Sequence, residues 1–310
     1  MPSSVCSSSA APVSPARAAR HAAAAPLLCL VLAGLLWGTG GLTGTLLGRA
    51  ADLSPLAVAA VRLLAGGALI VVCRILPGRR WPAGRAAWTR VVVTGVLAAT
   101  FQAAYFSAVS LTSVSLATLI TIGGTPVLVQ AAELLLGRRR PDRAGLARTV
   151  LALAGLGLLV GLPSGGYGPG AVLESAGMAL LASAGFATLT LISATPVPGL
   201  SAETVTGLGF TAGGLILLPL AAAVGGLAFQ PSLPALGWLT ALAVGPTALA
   251  YTLYFRGLRQ APASTGALLS LLEPLTATVL SVAFLGNRLS CAGIAGAVLL
   301  AVAVLSTARA

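Results

Sequence analysis

The sequence predicts an all-α integral membrane protein with ten transmembrane helices arranged as two inverted repeats of five. Three observations predict this fold: an apolar composition, ten long apolar segments, and a second half that resembles the first. Apolar residues make up 57% of the 310 residues and charged residues only 8%, and the mean hydropathy is +0.99. Because so few polar residues cannot cover a water-soluble fold of this size, we expect the chain in a lipid bilayer.

Each apolar segment is long enough to cross the hydrocarbon core, which takes about 20 residues in a helix. Long unbroken runs favour helices over barrel strands, in which apolar and polar residues alternate. The predicted spans are 27–47, 56–75, 88–108, 114–137, 145–162, 171–194, 202–224, 235–255, 262–285 and 290–307. The first apolar run is longer than the core of a secretory signal, so we expect an uncleaved helix.

The two halves of the chain match position by position. Trp88, Gly95, Tyr105-Phe106, Pro126 and Leu136-Gly137 recur, about 150 residues later, as Trp238, Gly245, Tyr254-Phe255, Pro274 and Leu285-Gly286. We therefore predict a first repeat over residues 27–162, a second over 171–307, and a disordered cytoplasmic tail over 1–26. Because five spans per repeat is an odd number, the second repeat enters the membrane from the opposite side, as in many secondary transporters.

Arginine placement predicts the orientation. Every one of the 18 basic residues is arginine. Clusters of them precede span 1, separate span 2 from span 3 and span 4 from span 5, and follow span 8, whereas the alternate loops hold only Arg49 and Arg288. The positive-inside rule then places both termini in the cytoplasm and the protein in the cell membrane. The net charge of +12 reflects this topology rather than nucleic-acid binding.

Residues suited to metal, redox or acid–base chemistry are sparse. The four cysteines form no Cys-x-x-Cys pair, the single histidine, His21, lies in the predicted tail, and Asp52 and Asp142 lie in predicted loops. We therefore predict no metal, no cofactor and no enzymatic activity. A membrane-embedded transferase is the disfavoured alternative.

Short motifs follow one another in a fixed order between residues 27 and 307. They are Leu36-Trp37-Gly38-Thr39, Ala60-Val61-Arg62-Leu63-Leu64-Ala65, Tyr105-Phe106-Ser107-Ala108, Thr125-Pro126, Leu136-Gly137, the segment 251–258, Glu273-Pro274 and Leu285-Gly286. Together they resemble the drug/metabolite transporter (DMT) superfamily, and within it the ten-helix proteins built from two EamA domains. The resemblance implies transport of small metabolites or drugs without ATP, with efflux favoured. The chain departs from the family pattern at Arg138 and Asn287, where Glu often follows Leu-Gly.

Two ionisable residues lie well inside predicted spans, where a charge costs about 2.5–3.5 kcal/mol on insertion scales. Glu273 precedes Pro274 in span 9; it either carries a proton that couples transport to the gradient, or stays protonated and caps carbonyls that Pro274 frees. Arg62 in span 2 binds an anionic group of the substrate, pairs structurally, for example with Glu133, or extends toward the outer headgroups. For Glu133 itself we expect a surface-facing ion pair near the cytoplasmic end of span 4.

Polar residues on predicted helix faces supply the other candidates for substrate contact. They are Gln102, Tyr105, Thr118, Thr121, Thr125, Thr247, Tyr251, Tyr254 and Ser270. Facing a midplane cavity, they would bind a small polar solute, although such side chains also bond the carbonyl one turn back. The predicted partners are the lipid bilayer, a small-molecule substrate and protons. A flippase for lipids or lipid-linked carriers is the alternative, and the oligomeric state is left open.

Span 1 carries two further signals. Trp37, like Trp238, either gates the cavity or lies in an interfacial belt. Gly40, Gly44 and Gly48 form a small-residue face that predicts close packing against a neighbouring helix.

Overall fold

The computed structural model describes residues 15–75, 81–140, 142–161, 166–286 and 288–309. Within these ranges ten segments are long and apolar enough to span a membrane, which confirms the predicted fold class. The helices are α1 (Pro15–Ala51), α2 (Pro55–Ile70), α3 (Arg85–Leu111), α4 (Val114–Leu135), α5 (Arg143–Val160), α6 (Pro169–Ser193), α7 (Ala202–Gly225), α8 (Leu233–Leu242), α9 (Ala250–Leu258), α10 (Ala263–Leu269), α11 (Leu272–Leu285) and α12 (Cys291–Ala308).

α1 is longer than the sequence predicts. It begins at Pro15, although its candidate membrane span begins at Ala24. The intervening segment is rich in alanine, the best helix former, and proline is tolerated at the first helical position. Of the predicted disordered tail, residues 1–14 lie outside the described residues, and the remainder is helical.

Helix ends follow local sequence signals that recur in both halves. Ser113, Ser201 and Ser290, among others, cap helix N-termini by accepting a hydrogen bond from a first-turn N–H. α4 and α11 are each followed by a glycine in the left-handed region, Gly137 at φ 65° and Gly286 at φ 67°. A side chain is strained in that conformation, which explains why Leu-Gly closes both segments.

The helices pack with an approximate twofold relation between the two halves. On the axis, α2 packs against α7 and α5 packs against α12. Away from the axis, the packing of α3 against α6 corresponds to the packing of α1 against α8 and α9. In the same way, the packing of α4 against α6 corresponds to the packing of α1 against α11. Each contact joins one half to the other, so the core lies between the repeats and not inside either of them.

The pair α5 and α12 illustrates how closely these helices approach. A Cβ on Gly155 would lie 2.6 Å from the backbone nitrogen of Leu300, and a Cβ on Gly296 would lie 2.6 Å from the carbonyl oxygen of Gly155. Neither backbone can withdraw, so glycine is required at both positions. The outer faces carry large exposed apolar residues such as Leu135, Leu233 and Phe284, as a lipid-facing surface does.

Two spans of the second half are interrupted near their centres, which the sequence analysis did not predict. Between α8 and α9 the chain forms a π-helical segment, Ala243–Leu249, that contains Pro246. Proline lacks the N–H that would bond the carbonyl of Leu242 in an α-helix, and the hydroxyl of Thr247 donates to that carbonyl instead at 2.8 Å. The irregular backbone is therefore satisfied locally.

The second interruption separates α10 from α11 at Ser270 and Leu271. Pro274 then falls in the first turn of α11, where a missing N–H breaks no helical bond. The equivalent proline of the first half, Pro126, lies inside the unbroken α4. The two repeats thus differ most at the centre of the bundle, where Glu273 begins α11.

Candidate functional site

Arg62 is the centre of a polar site inside the bundle. It lies in the middle of α2, about 10 Å along the helix from Pro55 at 1.5 Å per residue. Its guanidinium donates to the amide oxygen of Gln102 on α3, from Nε at 3.0 Å and from Nη2 at 2.8 Å, with the amide in the orientation that satisfies both groups. A buried glutamine therefore fixes the guanidinium in place.

Glu273 faces the same space from the first turn of α11. The charge of Arg62 acts on the Glu273 carboxylate and on the hydroxyls of Tyr251 and Tyr105. The two charged groups lie in the described part of the chain and do not form a direct ion pair there. Both side chains are half-buried. An arginine and a glutamate therefore interact electrostatically in one central site without forming an ion pair.

The carboxylate of Glu273 accepts no hydrogen bond from other described residues; the hydrogen bond at its own position joins its backbone N–H to the Ser270 carbonyl at 2.9 Å. A carboxylate with open coordination can take a proton or a ligand.

Tyr105 and Thr118 extend the polar site along α3 and α4. Their hydroxyls lie 2.8 Å apart and hydrogen-bond to each other. Both side chains are half-buried. They lie between Arg62 and the end of the bundle where α3 gives way to α4.

On the other side of Arg62 the core is aromatic. We define the aromatic cluster as Trp37, Phe186, Phe210, Tyr251 and Tyr254, which come from four different spans. Ring centroids lie 4.8 Å apart for Trp37 with each tyrosine, 5.7 Å for Trp37 with Phe186 and 4.5 Å for Phe210 with Tyr251. All five rings are buried. Trp37 therefore belongs to the core and not to an interfacial belt.

The two ends of the site differ in access. Thr43 and Thr276, like Tyr105 and Thr118, are half-buried and lie toward the end where α1 meets α2. At the opposite end Leu30 and Leu258 are each 1% exposed, and a Cβ on Gly257 would lie 2.9 Å from the carbonyl oxygen of Pro26. Side chains toward the α1–α2 end therefore keep partial exposure, whereas the bundle is closely packed beyond the aromatic cluster.

Four predicted contact residues use their hydroxyls for packing. Thr121 donates to the carbonyl of Ala179 on α6 at 3.1 Å, and Thr125 donates to the carbonyl of Thr121 at 2.8 Å. Thr247 supports the π-helical segment, and Ser270 donates to the carbonyl of Ala267 at 2.8 Å. The hydroxyls of these four are thus committed to backbone carbonyls. In contrast, Arg62 interacts with Gln102, Tyr105, Tyr251 and Glu273.

Two features of the site were not predicted from the sequence. Thr190 on α6 hydrogen-bonds to the hydroxyl of Tyr254 at 3.0 Å, and the indole N–H of Trp37 is buried with no acceptor among the described residues. The position equivalent to Trp37 in the second half is Gly185-Phe186, so the repeat did not point to Phe186 as a ring partner. Glu133, expected in a surface-facing ion pair, is instead only 6% exposed.

The hydroxyl pair Thr190–Tyr254 ties α6 to α9 within the aromatic cluster. We expect Tyr254→Phe to lower the free energy of unfolding by about 1 kcal/mol, because one buried hydrogen bond is lost. The measurement is the thermal unfolding temperature of the purified protein in detergent. Tyr167→Phe, on an exposed tyrosine before α6, is the matched control and should leave that temperature unchanged; equal shifts would contradict the assigned bond.

Two repeats of five spans, packed across a pseudo-twofold axis around a polar centre, are an architecture found in membrane transporters. The chain matches the EamA-like transporter family over residues 24–161 and again over 174–309. It belongs to that family and is a multi-pass membrane transporter, a class that is generally non-enzymatic.

Individual relatives agree with this assignment. The uncharacterized transporter YwfM of Bacillus subtilis (strain 168) is 34% identical over 271 residues, which cover 85% of this chain and 86% of YwfM. The protein PecM of Dickeya dadantii (strain 3937) is 29% identical over 244 residues, covering 79% of this chain and 80% of PecM. A solved crystal structure matches the fold with a TM-score of 0.77 at 21% identity, covering 92% of this chain and 98% of the other.

Proposed function

We propose that this transporter exports small organic solutes that carry an anionic group, with protons as the coupling ion and both termini in the cytoplasm. The observation that carries the proposal is the arrangement of Arg62 and Glu273, two opposite charges that share a half-buried central site without pairing. A charged side chain inside the membrane costs free energy, and such residues are generally paired with an opposite charge or take part in function. Binding of a solute by Arg62 and of a proton by Glu273 would account for both charges.

Arg62 is the proposed substrate anchor. Its Nε and Nη2 groups donate to the amide oxygen of Gln102. A guanidinium has five N–H donors in a fixed plane. The Nη1 group lies toward α1, where a Cβ on Gly40 would be 3.8 Å from it. Tyr251 takes a further hydrogen bond from this guanidinium. The remaining N–H groups can bind a carboxylate or phosphate of the solute without displacing Gln102.

Glu273 is the proposed proton carrier. When it is charged, it competes with the anionic solute for Arg62 through the Coulomb interaction between the two residues. When it takes up a proton, that competition ends, and the solute binds more favourably. Because each favours the binding of the other, proton and solute cross the membrane in the same direction. An outward solute gradient then drives export of the solute with a proton, and an inward proton gradient drives the reverse reaction, uptake.

The aromatic cluster is the proposed gate on the cytoplasmic side. With both termini in the cytoplasm, the closely packed end at Leu30 and Leu258 faces inward, and the half-buried end near Thr43 faces outward. Alternating access then requires α1 and α9 to separate at the cluster while the outer end closes. The interruption at Ala243–Leu249 lies directly before α9, where a broken helix can bend.

The test of this proposal is transport by the full chain in proteoliposomes. A panel of small anionic metabolites is screened by solid-supported-membrane electrophysiology, and an active solute is then followed with a labelled form. In the wild type we expect a pH gradient to drive accumulation. Glu273→Gln should abolish gradient-driven accumulation while retaining counterflow of the same solute, because glutamine keeps the shape but carries no exchangeable acid proton.

Glu174→Gln is the matched control, because Glu174 is exposed on α6 away from the site. It should behave as the wild type in both assays. Full pH-driven accumulation by the Glu273→Gln variant, at normal abundance in the membrane, would remove Glu273 from the coupling mechanism. Loss of both accumulation and counterflow would place Glu273 in solute binding alone.

A further inference from the structure

A cavity lies outside the central site, at the end of the bundle beyond Leu30 and Leu258. Its volume is about 760 Å³, and it is bounded by the end of α4, the start of α5, the loop between α9 and α10 with the following α10, and the part of α1 at Pro26. Cavities of this size commonly hold small ligands. Four arginines line it, Arg139, Arg140, Arg143 and Arg148, against the carboxylates of Glu133 and Asp142.

The arginines fall into two groups. Arg139 donates to the hydroxyl of Ser264 at 2.5 Å, and Arg148 lies 3.5 Å from a carboxylate oxygen of Asp142. The side chains of Arg140 and Arg143 make no hydrogen bond or ion pair with other residues in the described ranges. The cavity therefore presents two uncommitted guanidinium groups, which suit a phosphate because they can bind its oxygens in pairs.

Glu133 supplies the opposite charge from the cavity wall. Its side chain is 6% exposed, and its Oε2 atom is buried with no hydrogen-bond donor among the described residues. A buried carboxylate oxygen without a donor costs free energy that a bound ammonium would recover. The site thus offers an anion-binding part and a cation-binding part side by side.

The rim of the cavity is apolar on the side of the bilayer. Leu134 on α4 and Leu146 on α5 both line the cavity and are 44% and 61% exposed. Acyl chains can lie against such a surface while a headgroup enters the basic part. We propose that this cavity binds a ligand with a phosphate and a primary ammonium group, the chemistry of an ethanolamine phospholipid headgroup, with the phosphate on Arg140 and Arg143 and the ammonium on Glu133.

The test is ligand binding to the purified full chain in detergent, measured by native mass spectrometry. The probes are phosphatidylethanolamine, phosphatidylcholine, whose nitrogen has no N–H, phosphatidylglycerol, which has no amine, and soluble glycerophosphoethanolamine. We expect phosphatidylethanolamine to bind about tenfold more tightly than phosphatidylcholine, the effect of one hydrogen bond to a charged group. Equal binding of all three lipids by the wild type would overturn the proposal.

Three variants separate the parts of the site. Glu133→Gln should remove the preference for phosphatidylethanolamine over phosphatidylcholine. The double change Arg140→Gln and Arg143→Gln should instead weaken the binding of all three lipids to the same extent. Arg288→Gln, at an exposed arginine beyond α11, is the control. A preference that survives Glu133→Gln, or lipid binding that survives the double change, would contradict the assigned roles. Binding of the soluble probe as tight as that of the lipid would support the same chemistry with a soluble phospho-amine as the source.

Discussion

Arg62→Gln is expected to lower transport of an anionic solute by about 10- to 100-fold, because hydrogen bonds to a charged group are each worth about 1.5–3 kcal/mol. The glutamine can still bond to Gln102, so the packing between α2 and α3 is retained. Arg62→Lys keeps the charge but loses the planar donor set, and we expect it to fall between the wild type and Arg62→Gln. The measurement is the initial rate of solute uptake into proteoliposomes over a range of concentrations.

The matched control is Arg49→Gln, at an exposed arginine near the end of α1. It removes the same charge from the same protein but not from the site, so its rate should equal that of the wild type. Equal rates for Arg62→Gln and Arg49→Gln, at equal amounts of folded protein, would exclude Arg62 as the substrate anchor. A rate that falls only at low solute concentration would support a role in binding.

Gly38→Val is expected to reduce both the yield of folded protein and its transport. A Cβ at this position would lie 2.9 Å from the backbone carbonyl oxygen of Glu273 and 2.8 Å from a methyl of Thr276. Since α1 rests directly on the start of α11, the backbone that carries Glu273 must shift. Overpacking of this kind typically costs about 1–3 kcal/mol. The readouts are the monodisperse fraction in size-exclusion chromatography and the thermal unfolding temperature.

Gly41→Val on the same helix is the control for this change. A Cβ on Gly41 meets nothing within 4 Å, and the position is exposed. Both variants add the same β-branched side chain to α1, so any difference reports the contact with α11. A Gly38→Val protein as stable as the Gly41→Val protein would contradict the close packing of α1 on α11.

The spans and their repetition could be predicted because they depend on patterns that a single sequence carries. Twenty apolar residues in a row specify a spanning helix, and a repeated Leu-Gly specifies two equivalent helix ends, as the positive φ angles of Gly137 and Gly286 bear out. The interruptions could not be predicted in the same way. Pro126 and Pro274 are equivalent in the repeat, yet only the segment containing Pro274 is interrupted, because the outcome depends on neighbouring helices.

Which glycines of α1 contact other helices could not be predicted from the sequence either. The sequence singled out Gly40, Gly44 and Gly48 by their spacing, but the closest approaches to other helices are at Gly34 and Gly38, which pack on α10 and α11. Which face of a helix meets a neighbour is decided by tertiary contacts that spacing alone does not reveal.

The charged residues of the candidate site could be predicted, because burying a charge in a membrane costs free energy. The uncharged polar residues could be predicted less well. Arg62 and Glu273 stand out because charges within spans need a reason, and the structure brings them together. Threonine hydroxyls carry no such cost, since they bond to carbonyls of their own or a neighbouring helix, as Thr121 and Thr125 do. Spacing on a helix face therefore could not separate substrate contacts from packing contacts.

The most direct test of the central claim is a comparison of small molecules in the medium of cells that lack this protein with cells that produce the wild type, Arg62→Gln, Glu273→Gln or Arg49→Gln. We expect at least one anionic metabolite to accumulate outside with the wild type and Arg49→Gln but not with the two site variants. A metabolite exported equally by all four proteins would contradict a transport site built on Arg62 and Glu273.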